Sequence, residues 1–154
     1  MLTTQTKQKV YLAGPFFTPK ERKIIEEFAK ILRTRYDVFV PMEHFIEGGE
    51  KMENYRWGEE VFKIDIVGID SADFAVVVDH GFTSDAGTAW EAGYIFAKNK
   101  PAYIISACAE DNPVHSVMMI NGCAKYFRTF GDLWQYLCNN NEPKAYYELG
   151  IEVK

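Results

Sequence analysis

The chain has 154 residues, of which 47% are hydrophobic and 15% aromatic, and its formal net charge is −5 at pH 7. This length suits one domain with a proper core and is short for two, so we expect a single domain over residues 1–154. The apolar content argues against disorder, and the negative charge gives no electrostatic reason to expect a nucleic-acid partner.

The first half of the sequence predicts strands and helices in alternation. A strand is expected over Val10–Ala13, and it ends at Gly14 and Pro15. The first helix opens at Thr18, with Pro19 at its first position and Glu21 completing a capping box. The remaining elements of this half are a strand over Val38–Val40, a loop over Pro41–Glu53 and a helix over Asn54–Ser71.

The second half continues the alternation. Phe74–Val78 is a continuous β-branched run of the kind that fills a buried parallel strand. A loop follows from Asp79, and the pattern becomes helical after Gly87. The later elements are a strand over Ala102–Ser106, a short helix over Val114–Ile120, a short strand at Tyr126–Phe127 and a closing helix over Asp132–Leu137.

Alternation of this kind builds a parallel sheet with right-handed crossovers. We therefore expect an α/β protein with a three-layer flavodoxin-like (Rossmann-like) fold and a central, mostly parallel five-stranded sheet. Functional residues should lie in the loops at the carboxyl ends of the strands, including the loop from Ser106 to Ser116.

Two carboxylates, Asp85 and Glu91, lie six positions apart at a strand-to-helix junction, where α/β proteins place their ligand sites. The spacing places Glu91 in the first helical turn. Thr88 and Glu91 also fit a capping box, in which Glu91 would only satisfy free N–H groups. A capping box needs no second carboxylate, however, whereas covalent sugar transfer needs a nucleophile and further polar groups. Asp85 therefore favours a functional site.

The other chemically active residue types form no recognisable motif. Three widely spaced cysteines indicate neither a disulfide framework nor a metal site, and we expect a reducing compartment. His44, His80 and His115 pair with no cysteine or serine and are expected at the surface or in loops. No stretch approaches membrane-spanning length and Met1–Lys9 contains no apolar signal region, so we expect a cytoplasmic protein without a membrane partner.

Three segments together resemble the nucleoside 2-deoxyribosyltransferase family. They are Tyr11–Phe17, Asp65–Asp73 and Asp85–Tyr94, which occur in the family's order over nearly the whole chain. The resemblance implies nucleoside salvage by an enzyme that needs no cofactor and exchanges the base of a 2'-deoxynucleoside for another free nucleobase. It also implies a homo-oligomer built from dimers, commonly a hexamer, with shared active sites.

The resemblance assigns four catalytic residues. Glu91 would be the nucleophile that forms a deoxyribosyl ester, and Tyr11 would orient it. Asp65 would face the base and manage its proton, while Asp85 would hold the sugar hydroxyls. Each of the last three also has a structural alternative, because Tyr11 fits a strand core, Asp65 a solvated helix face and Asp85 a loop cap.

The predicted substrate-binding residues are Phe16, Phe45, Gly87, Ser116 and Met118. Phe16 matches a family position where an aromatic ring contacts the base. The sequence departs from the family pattern at Phe45, where several members have glutamine, and at Ser116, where asparagine is common. Ser116 and Met118 belong to a segment that family members lend to the neighbouring subunit. Base specificity therefore stays open.

Two alternative functions stay open as well. A 2'-deoxynucleoside 5'-monophosphate N-hydrolase would share the fold and the glutamate nucleophile, but such relatives bring serine, glycine and arginine to the first loop, where this chain has Gly14–Phe17. The second alternative is a non-catalytic nucleotide-binding module in which Glu91 only caps its helix.

Overall fold

The computed structural model describes residues 6–108 and 113–154, so part of the predicted loop from Ser106 to Ser116 lies outside the described residues. The strands are Lys9–Ala13 (β1), Asp37–Phe39 (β2), Phe74–Asp79 (β3), Ala102–Ser106 (β4), Val114–His115 (β5), Lys125–Phe127 (β6) and Glu152–Val153 (β7). The α-helices are Pro19–Leu32 (α1), Asn54–Ser71 (α2), Ala86–Ala97 (α3), Val117–Gly122 (α4) and Phe130–Asn139 (α5). Single 3₁₀ turns occur at Pro41–Glu43, Gly49–Lys51 and Tyr146–Leu149.

The central sheet has five strands in the order β2-β1-β3-β4-β6, and every neighbouring pair is parallel. This is the flavodoxin-like order, which confirms the expected α/β fold. On β1, Tyr11 lies opposite Phe39 of β2 and Ala75 of β3. Because all strands run the same way, their carboxyl ends meet at one edge of the sheet, and the loops to α2 and α3 leave from that edge.

Alternate residues of the strands divide the core into two halves. Val10 and Leu12 pack with α1 and α5 on one face of the sheet. Tyr11 and Ala13 pack with α2, α3 and α4 on the other face. The three layers follow from this alternation, because successive side chains of a strand point to opposite faces. Tyr11 is thereby directed at the α2 and α3 layer.

The start of α1 confirms the capping box expected from the sequence. The Thr18 hydroxyl accepts a hydrogen bond from the Glu21 amide at 3.2 Å, and the Glu21 carboxylate accepts one from the Thr18 amide at 2.8 Å. Pro19 occupies the first helical position, where its missing N–H costs nothing.

The expected helix over Val114–Ile120 is wrong at its beginning. Val114 and His115 form β5, which pairs in parallel with β7 near the end of the chain, and α4 begins only at Val117. Pairing with a distant strand overrides the local pattern here. Among the described residues, no helix combines the length and the apolar character that crossing a membrane would require.

Candidate active site

Asp85, rather than Glu91, caps the start of α3. The Asp85 carboxylate accepts hydrogen bonds from the Thr88 amide at 2.8 Å and the Thr88 hydroxyl at 3.0 Å. The helix therefore begins at Ala86, and Glu91 lies in its second turn. The expected position of Glu91 in the first turn is therefore wrong. The possible capping box of Thr88 with Glu91 is wrong as well, because the Thr88 amide donates to Asp85 instead of Glu91.

The Glu91 carboxylate instead meets the side chain of Tyr11. The Tyr11 hydroxyl donates to Glu91 Oε1 at 2.6 Å, although the two residues are 80 positions apart in the sequence. Tyr11 is fully buried, and its ring stacks on Phe39 at 5.4 Å between centroids. Burial and the nearby carboxylates of Glu91 and Asp65 raise the pKa of Tyr11, so it stays a protonated donor.

A glycine allows α2 to approach this cluster. A Cβ at Gly68 would lie 2.6 Å from the Phe39 ring, so only glycine fits between the helix and that ring without displacement. The Phe39 ring also stacks on His44, with centroids 4.0 Å apart. Close packing of α2 on β2 brings Asp65, one turn earlier in the helix, toward Tyr11 and Glu91.

The carboxyl groups of Glu91 and Asp65 both titrate close to neutral pH. Burial raises the pKa of Glu91 from 4.5 to about 7; the hydrogen bond from Tyr11 opposes this rise, and the charges of Asp65 and Asp85 add to it. Burial also raises the pKa of Asp65 from 3.8 to about 6, against a smaller lowering by His44. Near neutrality, one carboxylate can act as a nucleophile while the other exchanges a proton.

A cavity of about 380 Å³ opens beside these carboxylates, between α2 and α3. Its lining residues are Trp57, Gly58, Val61, Phe62, Asp65, Ile66, Ile69, Gly87, Trp90 and Glu91. The volume lies within the range of roughly 300–1,000 Å³ that is usual for small-molecule sites. Phe62 and Trp90 meet edge to face at 5.3 Å, so apolar and aromatic walls surround two acidic groups. Such a cavity suits a flat, polar-edged ring.

The structure thus brings four of the nine predicted site residues to one cluster: Glu91, Tyr11, Asp65 and Gly87. Asp85 lies at the start of the same helix, where its charge acts on Glu91.

The aromatic residues predicted to bind substrate are not among the lining residues of this cavity. Phe16 is half-buried and stacks on Phe17, with centroids 5.6 Å apart. Phe45 is 89% exposed. Neither belongs to the described lining of the cavity. Their contact with a substrate remains a prediction.

Ser116 and Met118 lie at a second cavity, of about 540 Å³, formed between α3 and α4. Ala89, Gly93 and Phe96 contribute the α3 side of this second cavity. Helix α3 therefore borders both cavities, with Glu91 toward one and Phe96 toward the other. Within one chain, Ser116 and Met118 line a different cavity from Glu91, and their role toward a neighbouring subunit remains a prediction.

Some site residues were missed by the sequence analysis. Phe62, Ile66 and Trp90 line the first cavity but were not singled out. A signal was present in α2, where Trp57, Val61 and Asp65 recur every four residues and place a carboxylate within an apolar stripe. Within the described ranges, no three His, Cys, Asp or Glu side chains come together in a way that could hold a metal ion.

The expectation for His115 is also wrong. This histidine is completely buried, and its Nδ1 lies 2.5 Å from the carboxylate of Asp79. No local pattern indicates this contact, because the partners are 36 positions apart and lie on different strands.

Comparison with known proteins decides the family. The model of the nucleoside 2-deoxyribosyltransferase family matches residues 10–132. The chain belongs to this family. It is therefore an enzyme of N-glycosidic bond chemistry, from a family that acts on nucleosides and nucleobases.

Solved structures of similar proteins agree with this assignment. A 2-deoxyribosyltransferase from the psychrotolerant bacterium Bacillus psychrosaccharolyticus is 28% identical, over 94% of this chain and 97% of its own, with a TM-score of 0.71. A conserved protein from Enterococcus faecalis V583 is 24% identical, over 65% of this chain and 64% of its own, with a TM-score of 0.56. The CMP N-glycosidase BcmB from Clostridium botulinum is 17% identical, over 84% of this chain and 98% of its own, with a TM-score of 0.57. The last two share the fold with this family member. No curated protein sequence matches the chain significantly.

Proposed function

We propose that this protein transfers 2-deoxyribose between purine and pyrimidine bases by double displacement, with Glu91 as the covalent nucleophile. The observation that carries the proposal is the 2.6 Å hydrogen bond from the buried Tyr11 hydroxyl to Glu91, on the wall of a cavity that also contains Asp65. A carboxylate held by one donor and pointed into a cavity is arranged for attack.

In the first half-reaction, a Glu91 carboxylate oxygen attacks the anomeric carbon and the bond from that carbon to the base nitrogen breaks. The leaving base takes the electron pair of this bond, and Asp65 supplies a proton to it. Two features support Asp65 in this role: it lies on the cavity wall, and burial raises its pKa to about 6, so a fraction is protonated near neutrality. The product is a deoxyribosyl ester of Glu91.

In the second half-reaction, a nitrogen of the incoming base attacks the anomeric carbon and the ester bond to Glu91 breaks. Asp65 takes the proton that the base nitrogen loses, so it returns to its starting state. Two inversions retain the configuration of the sugar. The Tyr11 hydroxyl stabilises the departing Glu91 carboxylate, and Asp85, at the start of α3, holds sugar hydroxyls.

Glu91 has no structural duty that would compete with this role. Its helix is capped by Asp85, and the partner of the Glu91 carboxylate is Tyr11 rather than a free helical amide. This contact argues against a non-catalytic module, because that alternative assumed that Glu91 only caps α3.

Hydrolysis is the nearest alternative reaction, since water could replace the second base. For a nucleoside monophosphate, the first loop would need groups that hold the phosphate. Gly14–Phe17 offers no hydroxyl or guanidinium side chain. The nearby Arg22 donates to the backbone carbonyls of Phe16 and Phe17, both at 3.1 Å, and so serves the loop itself. These contacts favour nucleosides over monophosphates as substrates.

The same proposal includes a homo-oligomer with shared active sites, in which a second copy covers the cavity between α3 and α4. Its rim is apolar and strongly exposed: Met118 is 79% and Phe96 62% accessible. Exposed apolar surface of this kind marks interaction sites. Both cavities border α3, so a partner seated here would pack against the same helix that carries Glu91.

Chromatography tests the function directly. The protein is incubated with thymidine and adenine, and separately with dCMP alone; the Glu91→Gln variant is the matched control. Deoxyadenosine from the first mixture, absent with the variant, supports transfer. Release of cytosine from dCMP without any deoxyadenosine from the first mixture would support the hydrolase instead, and binding of thymidine without turnover would support the module.

A further inference from the structure

A buried polar network lies at the carboxyl end of β3, outside the proposed chemistry. Asp79, the last residue of the strand, is 1% exposed, and His115 of β5 is fully buried. The Asp79 carboxylate is bonded on both oxygens: the Ser84 hydroxyl donates to Oδ1, and His115 Nδ1 lies 2.5 Å from Oδ2. On its other side, His115 Nε2 lies 3.3 Å from the Tyr126 hydroxyl.

The hydrogen bonds assign the proton on His115. Nδ1 faces a carboxylate, which only accepts, so Nδ1 carries the hydrogen and donates it to Asp79. Nε2 faces the Tyr126 hydroxyl, which can both donate and accept. Every polar atom of the Asp79 and His115 side chains has a partner, and an apolar pair of similar volume would fill this space without the cost of burying polar groups. We therefore look for a role of this network beyond filling the core.

The network ties together two segments that flank the proposed site. Ser84 immediately precedes Asp85, the cap of α3, and its hydroxyl also lies 2.7 Å from the Gly81 carbonyl. His115 immediately precedes Ser116, where the α4 segment begins. One carboxylate, Asp79, thus holds the loop before α3 and the segment before α4 at a single point.

The backbone confirms how closely these two segments approach. Gly81 has φ of +102°, a conformation that favours glycine, and a Cβ there would lie 3.1 Å from the Val114 carbonyl. The strand that carries His115 is itself held by β7, since the Lys154 amide donates to the His115 carbonyl at 3.0 Å. The Val117 amide donates in turn to the Lys154 carbonyl at 2.9 Å. His115 is therefore fixed on its backbone as well as on its ring.

We propose that Asp79, Ser84 and His115 are positioning residues, which lock the Asp85 loop and the Ser116 segment to each other at the edge of the sheet. This inference rests on the proposed function, because Asp85 is assigned there to the sugar hydroxyls and the cavity beside α4 to a second copy of the chain. None of the three residues lines the Glu91 cavity. They act through Asp85 and through α4. The base side of the site, formed by α2, does not depend on them.

Ser84→Ala is the sharpest test, because it cuts the link to the Asp85 loop while His115 still pairs with Asp79. We expect kcat/KM for thymidine to fall about tenfold, as for the loss of one hydrogen bond to a charged group, and the KM for adenine to stay unchanged. Thr83→Ala is the matched control, since Thr83 is the exposed neighbour of Ser84 in the same loop. It should leave both constants unchanged. A Ser84→Ala enzyme that only melts earlier and turns over thymidine normally would overturn the proposal.

Variants of His115 test the other half of the network. His115→Asn keeps an N–H near the position of Nδ1 and should retain most of the thymidine kcat/KM, whereas His115→Leu should lose it. Equal activity of the two variants would contradict a positioning role. If His115→Leu does not fold, the Ser84→Ala result decides alone.

Amide hydrogen exchange separates this inference from the proposed function. Ser84→Ala should speed exchange both in residues 80–88 and in residues 117–122 of the folded protein, whatever reaction the enzyme catalyses. Faster exchange in the first range only would show that the segments are not coupled. A wild-type protein without transfer activity would refute the proposed function, and the exchange result would still decide the coupling.

Discussion

Replacing Tyr11 by phenylalanine should impair the enzyme most strongly at low pH. The change removes one hydroxyl, and with it the 2.6 Å hydrogen bond that holds down the pKa of Glu91. A hydrogen bond to a charged group contributes about 1.5–3 kcal/mol. Since about 1.4 kcal/mol corresponds to one pKa unit, the pKa of Glu91 should rise from about 7 by roughly 1–2 units.

The assay is kcat/KM for thymidine with adenine as acceptor, measured from about pH 5 to pH 9. In the free enzyme, Glu91 must be ionised to attack and Asp65 must be protonated to supply the leaving base, and Asp65 titrates alike in both proteins. The ratio of the Tyr11→Phe kcat/KM to the wild-type kcat/KM therefore follows the ionised fraction of Glu91 alone. A rise of roughly 1–2 pKa units should make this ratio about 10- to 100-fold lower than one near pH 5 and let it rise toward one by about pH 9.

Tyr36→Phe is the control for this experiment. Tyr36 is also a buried tyrosine, but it packs on the opposite face of the sheet with the α1 core. The ratio of the Tyr36→Phe kcat/KM to the wild-type kcat/KM should stay near one at every pH. A ratio for Tyr11→Phe that is equally low at every pH would refute the reasoning and reduce Tyr11 to a packing residue.

Three further predictions follow from the same structure. Glu91→Gln should stabilise the protein increasingly as pH rises. Burial raises the pKa of Glu91 in the folded protein from 4.5 to about 7, so the stability that protonation gives the wild type is complete below pH 4.5 and is lost as pH rises through 7. The free energy of unfolding of the wild type should therefore fall by about 3 kcal/mol relative to that of the variant. Urea unfolding near pH 5 and pH 8 measures it, and equal differences at both would contradict it. Lys100→Met should lower the free energy of unfolding by about 2 kcal/mol, because the Lys100 ammonium donates to three carbonyls at the end of α2 at 2.6–2.9 Å. Lys98→Met, at an exposed lysine, is the control in the same urea assay. An equal loss of stability in both variants would argue against the capping role of Lys100. Met118→Glu should weaken both assembly and transfer by placing a charge in the proposed interface, and light scattering at assay concentration measures the assembly. A fully active monomer would remove the shared site.

The sequence predicted the sheet well because its strands carry local signals. The β-branched run from Phe74 to Val78 has the composition of a strand buried on both faces, and it forms the centre of the sheet. The start of α1 was predicted for a similar reason, since Thr18, Pro19 and Glu21 act within one turn. The two-residue strands β5 and β7 were not predicted, because each forms only by pairing with the other, which lies far away in the sequence.

The site was predicted by resemblance rather than by spacing. Tyr11 and Glu91 carry no pattern that links them, and the fold brings them together because β1 directs Tyr11 toward α3. Local spacing even misplaced the helix start, since it offered Thr88 where Asp85 is the cap. The buried contact of Asp79 with His115 could not be predicted either. It depends on segments that are distant in the sequence and meet at the edge of the sheet, which no local pattern encodes.

The central claim is that a deoxyribosyl ester forms on Glu91, and mass spectrometry of the quenched enzyme tests it most directly. Wild-type protein is mixed with thymidine in the absence of an acceptor base, denatured in acid and digested. The account predicts one added deoxyribosyl group on the peptide that contains Glu91, which disappears when adenine is added before quenching and never forms in Glu91→Gln. An unmodified peptide from enzyme that exchanges bases, together with kinetics that require both bases to be bound at once, would contradict it and indicate direct displacement.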